Sequence, residues 1–185
     1  LVGPPSEDIE IWLNFASLAR KNNKLERSYK ILTTLLNNDK PDPEILLSNI
    51  VKGLQNNTAS NVHPKVVFAV LQHTWATGNK TEAIKYLGRF VKLVGTTEYA
   101  AKYYLRLGEW KKSLISGFEK QSQTTINDIL SNFRIATEIG NNWYKSWHAW
   151  AMMNYEVISS LEQKYNLKFK SAFLTGEQVP ADLQD

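Results

Sequence analysis

Three histidines, several serines and a few acidic pairs are the side chains of this sequence that could take part in catalysis. The sequence has no cysteine, which excludes disulfide frameworks, thiol nucleophiles and cysteine-based metal sites. His63 precedes a proline, His73 and His148 lie in separate helical segments, and no HExxH, GxSxG or GxxxxGK[ST] pattern occurs. The acidic pair of Glu7 and Asp8 stands at a helix start, where the helix dipole explains it. The sequence therefore predicts no catalytic residue and no metal ligand.

The densest cluster of aromatic and polar side chains is the segment 143–156, WYKSWHAWAMMNYE. On a helix this segment presents two adjacent faces. One is formed by Trp143, Trp147 and Trp150, and the other by Tyr144, His148, Ala151 and Tyr155. A helix that is apolar over so wide an arc is expected to be sandwiched between neighbours. We therefore expect a core helix in which His148 is buried and hydrogen-bonded rather than a ligand. A stacking platform for bases or sugars is the alternative.

Composition points to a globular chain rather than a nucleic-acid-binding one. The 185 residues include 22 Lys and Arg against 18 Asp and Glu, a net charge of +4, whereas nucleic-acid binders show a denser basic face with interleaved aromatics. No apolar run is long enough to span a bilayer, and the N-terminus lacks the features of a secretory signal. We expect a soluble, intracellular domain without a transmembrane segment and without a nucleic-acid partner.

The elements that would position these residues are predicted from helical periodicity. The first segment has apolar residues at i, i+4 and i+7 in Ile11, Phe15 and Leu18, and each later segment carries a similar stripe. Short polar turns divide the segments into four pairs: 7–20 with 25–36, 67–75 with 83–94 across the turn 77–80, 99–107 with 110–118, and 126–139 with 143–165. A short extra helix is predicted over 45–54.

Three of the turns are similar to one another. Asn23, Gly78 and Gly108 can adopt the positive φ of a tight turn, and a small residue follows each five positions later, namely Ser28, Ala83 and Ser113. No strand pattern competes, so the predicted fold class is all-α, a solenoid of antiparallel helix pairs of tetratricopeptide- or HEAT-like type. The predicted helical-repeat domain covers 1–165, and 166–185 is predicted to be a fraying end or a linker.

Four stretches of the sequence resemble the FAT domain of target of rapamycin kinases, which are large phosphatidylinositol-kinase-like Ser/Thr protein kinases. They are PPSEDIEIWLNFASLARKNNKL, NVHPKVVFAVLQHTW, YYLRLGEWKKSL and WYKSWHAWAMMNYEV, in the same order as in that family. The resemblance covers residues 4–165. It departs from the family in a shorter interval between Val94 and Tyr99 and a longer stretch over 37–61.

The resemblance implies a non-catalytic scaffold that supports and regulates a kinase domain in the same polypeptide. It also implies other subunits of the target of rapamycin complex as partners, nutrient and growth signalling, and a cytoplasmic location with recruitment to a vacuolar or lysosomal membrane surface. The chain itself lacks the Gly-rich loop and the catalytic-loop and metal-binding aspartates of a kinase, so we expect no enzyme activity from it. A free-standing tetratricopeptide-type adaptor that binds peptides is the alternative function.

The resemblance also implies a polyanion site, because related solenoids hold an inositol polyphosphate in a basic pocket of the FAT domain. The matching positions are Lys21, Lys102, Arg106 and Lys145. Lys102 and Arg106 are four residues apart and would project from one helix face. Asn14 stands where the family can have another lysine. We expect inositol hexakisphosphate as a structural cofactor and no cofactor for catalysis; the alternative is that these are unrelated, solvated side chains.

Overall fold

Seven α-helices make up most of the part of the chain that the computed structural model describes, residues 8–36, 62–97, 99–118 and 121–175, with side chains up to 168. They are α1 (Ile9–Lys21), α2 (Leu25–Leu35), α3 (Pro64–Ala76), α4 (Lys80–Val94), α5 (Ala100–Ser113), α6 (Gln123–Ile139) and α7 (Tyr144–Thr175). The described residues contain no strand, and the all-α fold class is confirmed. The predicted helix over 45–54 lies outside the described residues.

The chain divides into two compact units, Leu1–Tyr103 and Tyr104–Asp185. In the first unit α1 packs against α2 and α3, α2 packs against α3, and α3 packs against α4. In the second unit α6 packs against α7. These contacts confirm the first, second and fourth predicted helix pairs.

The turns of the first unit have the predicted geometry. Asn23 and Gly78 adopt positive φ values of 56° and 96°. The small residues Ser28 and Ala83, five positions after these turns, are fully buried. Because a small side chain lets two helices approach closely, each pair folds back tightly on itself.

The third predicted helix pair is wrong, because α5 continues through Gly108 without a turn. Gly108 is buried within the helix, where an added Cβ would lie 2.8 Å from Cε1 of Phe133 on α6. The glycine therefore allows two helices to approach closely rather than the chain to reverse. Ser113, which was predicted to pack in the second helix of this pair, is exposed.

The apolar stripe of α1 faces away from the core of its unit. Ile11, Phe15 and Leu18 are 43–57% exposed, whereas Ala16 and Ala19 are buried. The alanines are the residues on α1 that permit a close approach to α2 and α3, so the larger side chains remain on the outer flank. Periodicity located this stripe correctly but not the direction in which it points.

The core of the first unit includes a cluster of aromatic rings around Tyr103. The ring of Tyr103 lies 4.5 Å from that of Phe68 and 5.3 Å from that of Phe90, centroid to centroid. Tyr103 is 1% exposed, and its hydroxyl has no hydrogen-bond partner among the described residues. Burial raises the pKa of this hydroxyl well above its usual value, with a further contribution from Tyr99.

Replacing Tyr103 with phenylalanine is expected to leave the chain as stable as before or to stabilise it by about 1 kcal/mol, because the substitution removes a buried polar group without a partner and keeps the ring. Thermal or urea unfolding of the two proteins measures the difference. A loss of stability would mean that the hydroxyl is hydrogen-bonded in solution.

The core of the second unit joins α5, α6 and α7. It consists of Leu105, Ile126, Ile129, Phe133, Ala136, Met153 and Val157. Two ion pairs at its edge link the helices, Lys111 with Asp128 at 2.6 Å and Lys112 with Glu156 at 2.7 Å. Helix α7 continues past the predicted boundary at 165 to Thr175, and residues 161–168 are all exposed.

No helix in the described ranges combines the length and the hydropathy that crossing a membrane would need.

Candidate functional site

The basic residues predicted to bind a polyanion come from three helices. Lys21 is the last residue of α1, Lys102 and Arg106 lie one turn apart on α5, and Lys145 is in the first turn of α7. The three lysines are exposed. Arg106 is half-buried and forms an ion pair with Glu109, with 2.9 Å between Nη1 and Oε2. Lys21 and Lys102 belong to the first unit, and Arg106 and Lys145 to the second.

A second group of polar side chains lies at the junction of α1, α2 and α3, and sequence reasoning missed it. Arg20 donates a 2.8 Å hydrogen bond from Nη2 to Oε1 of Gln72. The neighbouring His73 is 3% exposed and stacks on Tyr29 with 5.5 Å between ring centroids. Burial, with a smaller contribution from the charge of Arg20, lowers the pKa of His73 from 6.5 to about 4. His73 is therefore neutral at physiological pH and belongs to the structural core.

His63 has a structural role at the start of α3. Its Nδ1 accepts a hydrogen bond of 3.2 Å from the backbone N–H of Lys65 and so caps the helix, with Pro64 as its first residue. The Lys65 ammonium pairs with Glu10 and lies 4.6 Å from the centroid of the Tyr99 ring. His63 and His73 thus both contribute to the structure of the first unit, His63 as a helix cap and His73 in the core.

Among the described residues the tryptophan-rich helix α7 packs on one side, against α6, and its other side is exposed. The prediction that the whole helix is sandwiched in a core is therefore wrong for its exposed side. The side that faces α6 consists of Ser146, Met153 and Val157, which are buried, with Trp143, Ala149 and Trp150 partly buried beside them. Tyr144 is 73% exposed and Tyr155 66%.

The prediction that His148 is a buried core histidine is also wrong. His148 is exposed and contacts the exposed ring of Tyr144, with 5.6 Å between the two centroids. Trp147 is nearly half-exposed, donates a 2.7 Å hydrogen bond from Nε1 to the carbonyl oxygen of Asn141, and packs edge-on against Trp150. The residues that sequence reasoning placed in the core thus form an aromatic surface.

The described residues offer no constellation for metal-dependent chemistry, since no group of three or more His, Asp or Glu side chains among them could hold a metal ion. The described residues do present exposed cations on three helices and exposed apolar side chains on one flank of α1 and of α7. Such features suit contacts with other molecules or with other parts of a polypeptide.

Comparison with known proteins gives one family and a consistent set of relatives. The family model described as "FAT domain" matches residues 1–184. The chain is 32% identical over 189 residues to the serine/threonine-protein kinase TOR2 of Saccharomyces cerevisiae, an alignment that covers 87% of this chain and 7% of that protein. It is 28% identical over 188 residues to tor1 of Schizosaccharomyces pombe, covering 88% and 8%, and 32% identical over 174 residues to mTor of Drosophila melanogaster, covering 86% and 6%. The chain spans less than a tenth of the length of these relatives.

Proposed function

Because this chain belongs to the FAT domain family, we propose that it is part of the helical scaffold of a target of rapamycin Ser/Thr protein kinase. In this role it supports and regulates a kinase domain in the same polypeptide and contributes to the assembly of the kinase complex in nutrient and growth signalling. The complex acts in the cytoplasm and at vacuolar or lysosomal membranes. The chain contributes shape and contact surface, and the chemistry of phosphoryl transfer belongs to another part of the polypeptide.

The observation that supports this proposal best is the match of the FAT domain model along the chain, together with relatives that are serine/threonine-protein kinases. The helix pairs agree with it, since stacked repeats expose extended surfaces on which other domains can dock. A peptide-binding adaptor would instead present recurring Asn, Lys or Arg side chains along one groove. The sequence has such positions only once or twice.

Co-purification tests the proposal. The polypeptide that contains this chain would be expressed without these residues, and the 185-residue chain would be supplied as a separate, tagged protein. We expect the chain to capture the kinase-containing remainder, because a scaffold must contact what it supports. A chain carrying Gly108→Leu, which disrupts the packing of the second unit, is the control and should capture less. Failure of the wild-type chain to capture the remainder would contradict the proposal.

We also propose that Lys21, Lys102, Arg106 and Lys145 bind inositol hexakisphosphate as a structural cofactor. The support is the exposure of the three lysines and the one-turn spacing of Lys102 and Arg106 on α5. Lysine suits a phosphate as a point charge and arginine as a planar fork. Lys102 and Arg106, one turn apart on the same helix, repel one another, so a bound polyanion should stabilise the fold.

Inositol hexakisphosphate is expected to raise the melting temperature of the chain at near-physiological salt. At a hundredfold excess over the dissociation constant the gain is about 2.7 kcal/mol. The Lys102→Ala/Arg106→Ala variant should lose this shift. The Lys30→Ala/Lys92→Ala variant, which removes two other exposed cations, should keep it. Equal shifts in all three proteins, or none in the wild type, would contradict the site.

A further inference from the structure

A buried histidine lies where the first helix pair, α1 with α2, meets the next helix, α3. His73 on α3 is 3% exposed and stacks on Tyr29 of α2, with 5.5 Å between the ring centroids and an interplanar angle of 26°. The neighbouring Gln72 accepts the hydrogen bond that Arg20 of α1 donates. Both helices of the first pair therefore contact α3 at two consecutive residues, 72 and 73.

The surroundings of His73 favour a neutral imidazole over a charged one. Its Nδ1 is buried and has no hydrogen-bond partner among the described residues, so a proton added there would have no acceptor. Among the helices packed against α3, α1 contributes the charge of Arg20, which opposes a second positive charge, and α2 contributes the ring of Tyr29. In the described part of the chain no carboxylate, on α4 or elsewhere, acts on the pKa of His73.

Separation of the first helix pair from α3 would remove this penalty, because water would reach the protonated ring and Arg20 would move away from it. In helical-repeat proteins each repeat contacts only its neighbours, so the contact between two pairs can open while the remaining helices stay folded. The helices α1 and α2 have 13 and 11 residues, and isolated helices shorter than about 12–15 residues are only marginally stable in water. We therefore expect the released pair to lose helical hydrogen bonds.

We propose that His73 is a pH-sensitive contact that holds the first helix pair against α3 while its ring is neutral and releases the pair when the ring is protonated. Helices α3 and α4 remain folded on each other. The contact is internal to the first unit. The proposal therefore depends neither on the proposed function nor on what packs against the outer faces of the chain.

The size of the effect follows from two pKa values of His73. Burial, with a smaller contribution from Arg20, lowers the pKa to about 4 in the closed state, whereas the released ring should have its usual pKa of 6.5. The equilibrium constant for release should therefore rise about tenfold between pH 7.5 and pH 5.5. The ion pair of Lys65 with Glu10, which also joins α3 to α1, persists in this range, because the hydrogen bond from Lys65 holds the pKa of Glu10 below its usual 4.5.

Hydrogen exchange of the 185-residue chain at pH 7.5 and pH 5.5 tests the proposal. Protection factors are compared, so that the intrinsic pH dependence of exchange cancels. In the wild type we expect the protection of α1 and α2 to fall about tenfold and that of α4 to stay the same. His73→Phe keeps a ring beside Tyr29 but does not titrate, so it should show no fall. His63→Asn replaces the other histidine of the first unit with a cap that does not titrate and should behave like the wild type.

An NMR titration of the wild-type chain is a second measurement that needs no variant. The imidazole of His73 should stay neutral down to pH 5.5, because the closed state excludes the proton. Protonation of His73 near pH 6.5, or unchanged protection of α1 and α2 in the wild type, would overturn the proposal. So would a fall that persists in His73→Phe, or one that is equally large in α4.

Discussion

Replacing Gly108 with leucine is expected to destabilise the chain by about 3 kcal/mol or more, because the new side chain has no space in a packed core. A Cβ at this position would already lie 2.8 Å from Cε1 and 3.0 Å from Cδ1 of the Phe133 ring. That ring is 2% exposed and belongs to the core of the second unit. It has little freedom to move aside, so α5 and α6 must separate. Urea unfolding measures the change.

The matched control is Gly88→Ala on α4. No atom lies within 4 Å of a Cβ at Gly88, so alanine is expected to stabilise the chain by up to about 1 kcal/mol through its helix propensity. A double variant, Gly108→Ala with Phe133→Leu, should be more stable than the sum of the two single changes, because the smaller side chain makes room for the new methyl group. If Gly108→Leu were as stable as the wild type, the close approach of α5 and α6 would be wrong.

Acidification from pH 7 to pH 4 is expected to cost up to about 3 kcal/mol of stability through His73 alone. Its pKa in the folded chain is about 4, below its usual value of 6.5. Between pH 6.5 and pH 4, the unfolded chain binds a proton at His73 that the folded chain does not bind. The folded state therefore loses stability as the pH falls through this range and has its full stability above it.

The difference between the wild type and His73→Phe isolates this effect. Phenylalanine keeps a ring beside Tyr29 but does not titrate, so the variant should lose less stability than the wild type between pH 6.5 and 4. His148→Gln, a change of an exposed histidine, should follow the wild type. Parallel pH profiles for the wild type and His73→Phe would show that His73 is not buried as described.

The sequence predicts local structure well because local structure depends on local chemistry. The positive φ values of Asn23 and Gly78 follow from residue types that tolerate them, and α3 begins at Pro64, a residue type suited to the first position of a helix. Gly108 has the same residue type as Gly78, but its role depends on Phe133, which is distant in the sequence. A glycine that permits a turn and a glycine that permits close helix packing cannot be distinguished without knowing the neighbour.

Which side of a helix is buried depends on all the elements that pack around it, so helical periodicity alone predicts the buried side wrongly in some helices. Ile11, Phe15 and Leu18 form an apolar stripe, yet the alanines beside them fill the contact with α2 and α3. For the same reason His148 is exposed and His73 is buried. In the candidate polyanion site, the spacing of Lys102 and Arg106 is readable from the sequence because they share one helix.

Kinase activity of the polypeptide that contains this chain tests the scaffold proposal most directly. The intact polypeptide would be purified in three forms, wild type, Gly88→Ala and Gly108→Leu, and the phosphorylation of a protein substrate would be measured per mole of enzyme. We expect wild-type activity with Gly88→Ala and a loss of most of the activity with Gly108→Leu, although this substitution touches no catalytic residue. Hydrogen exchange would establish that α5 and α6 are unfolded in the Gly108→Leu polypeptide. If that polypeptide kept full kinase activity, the scaffold proposal would be contradicted.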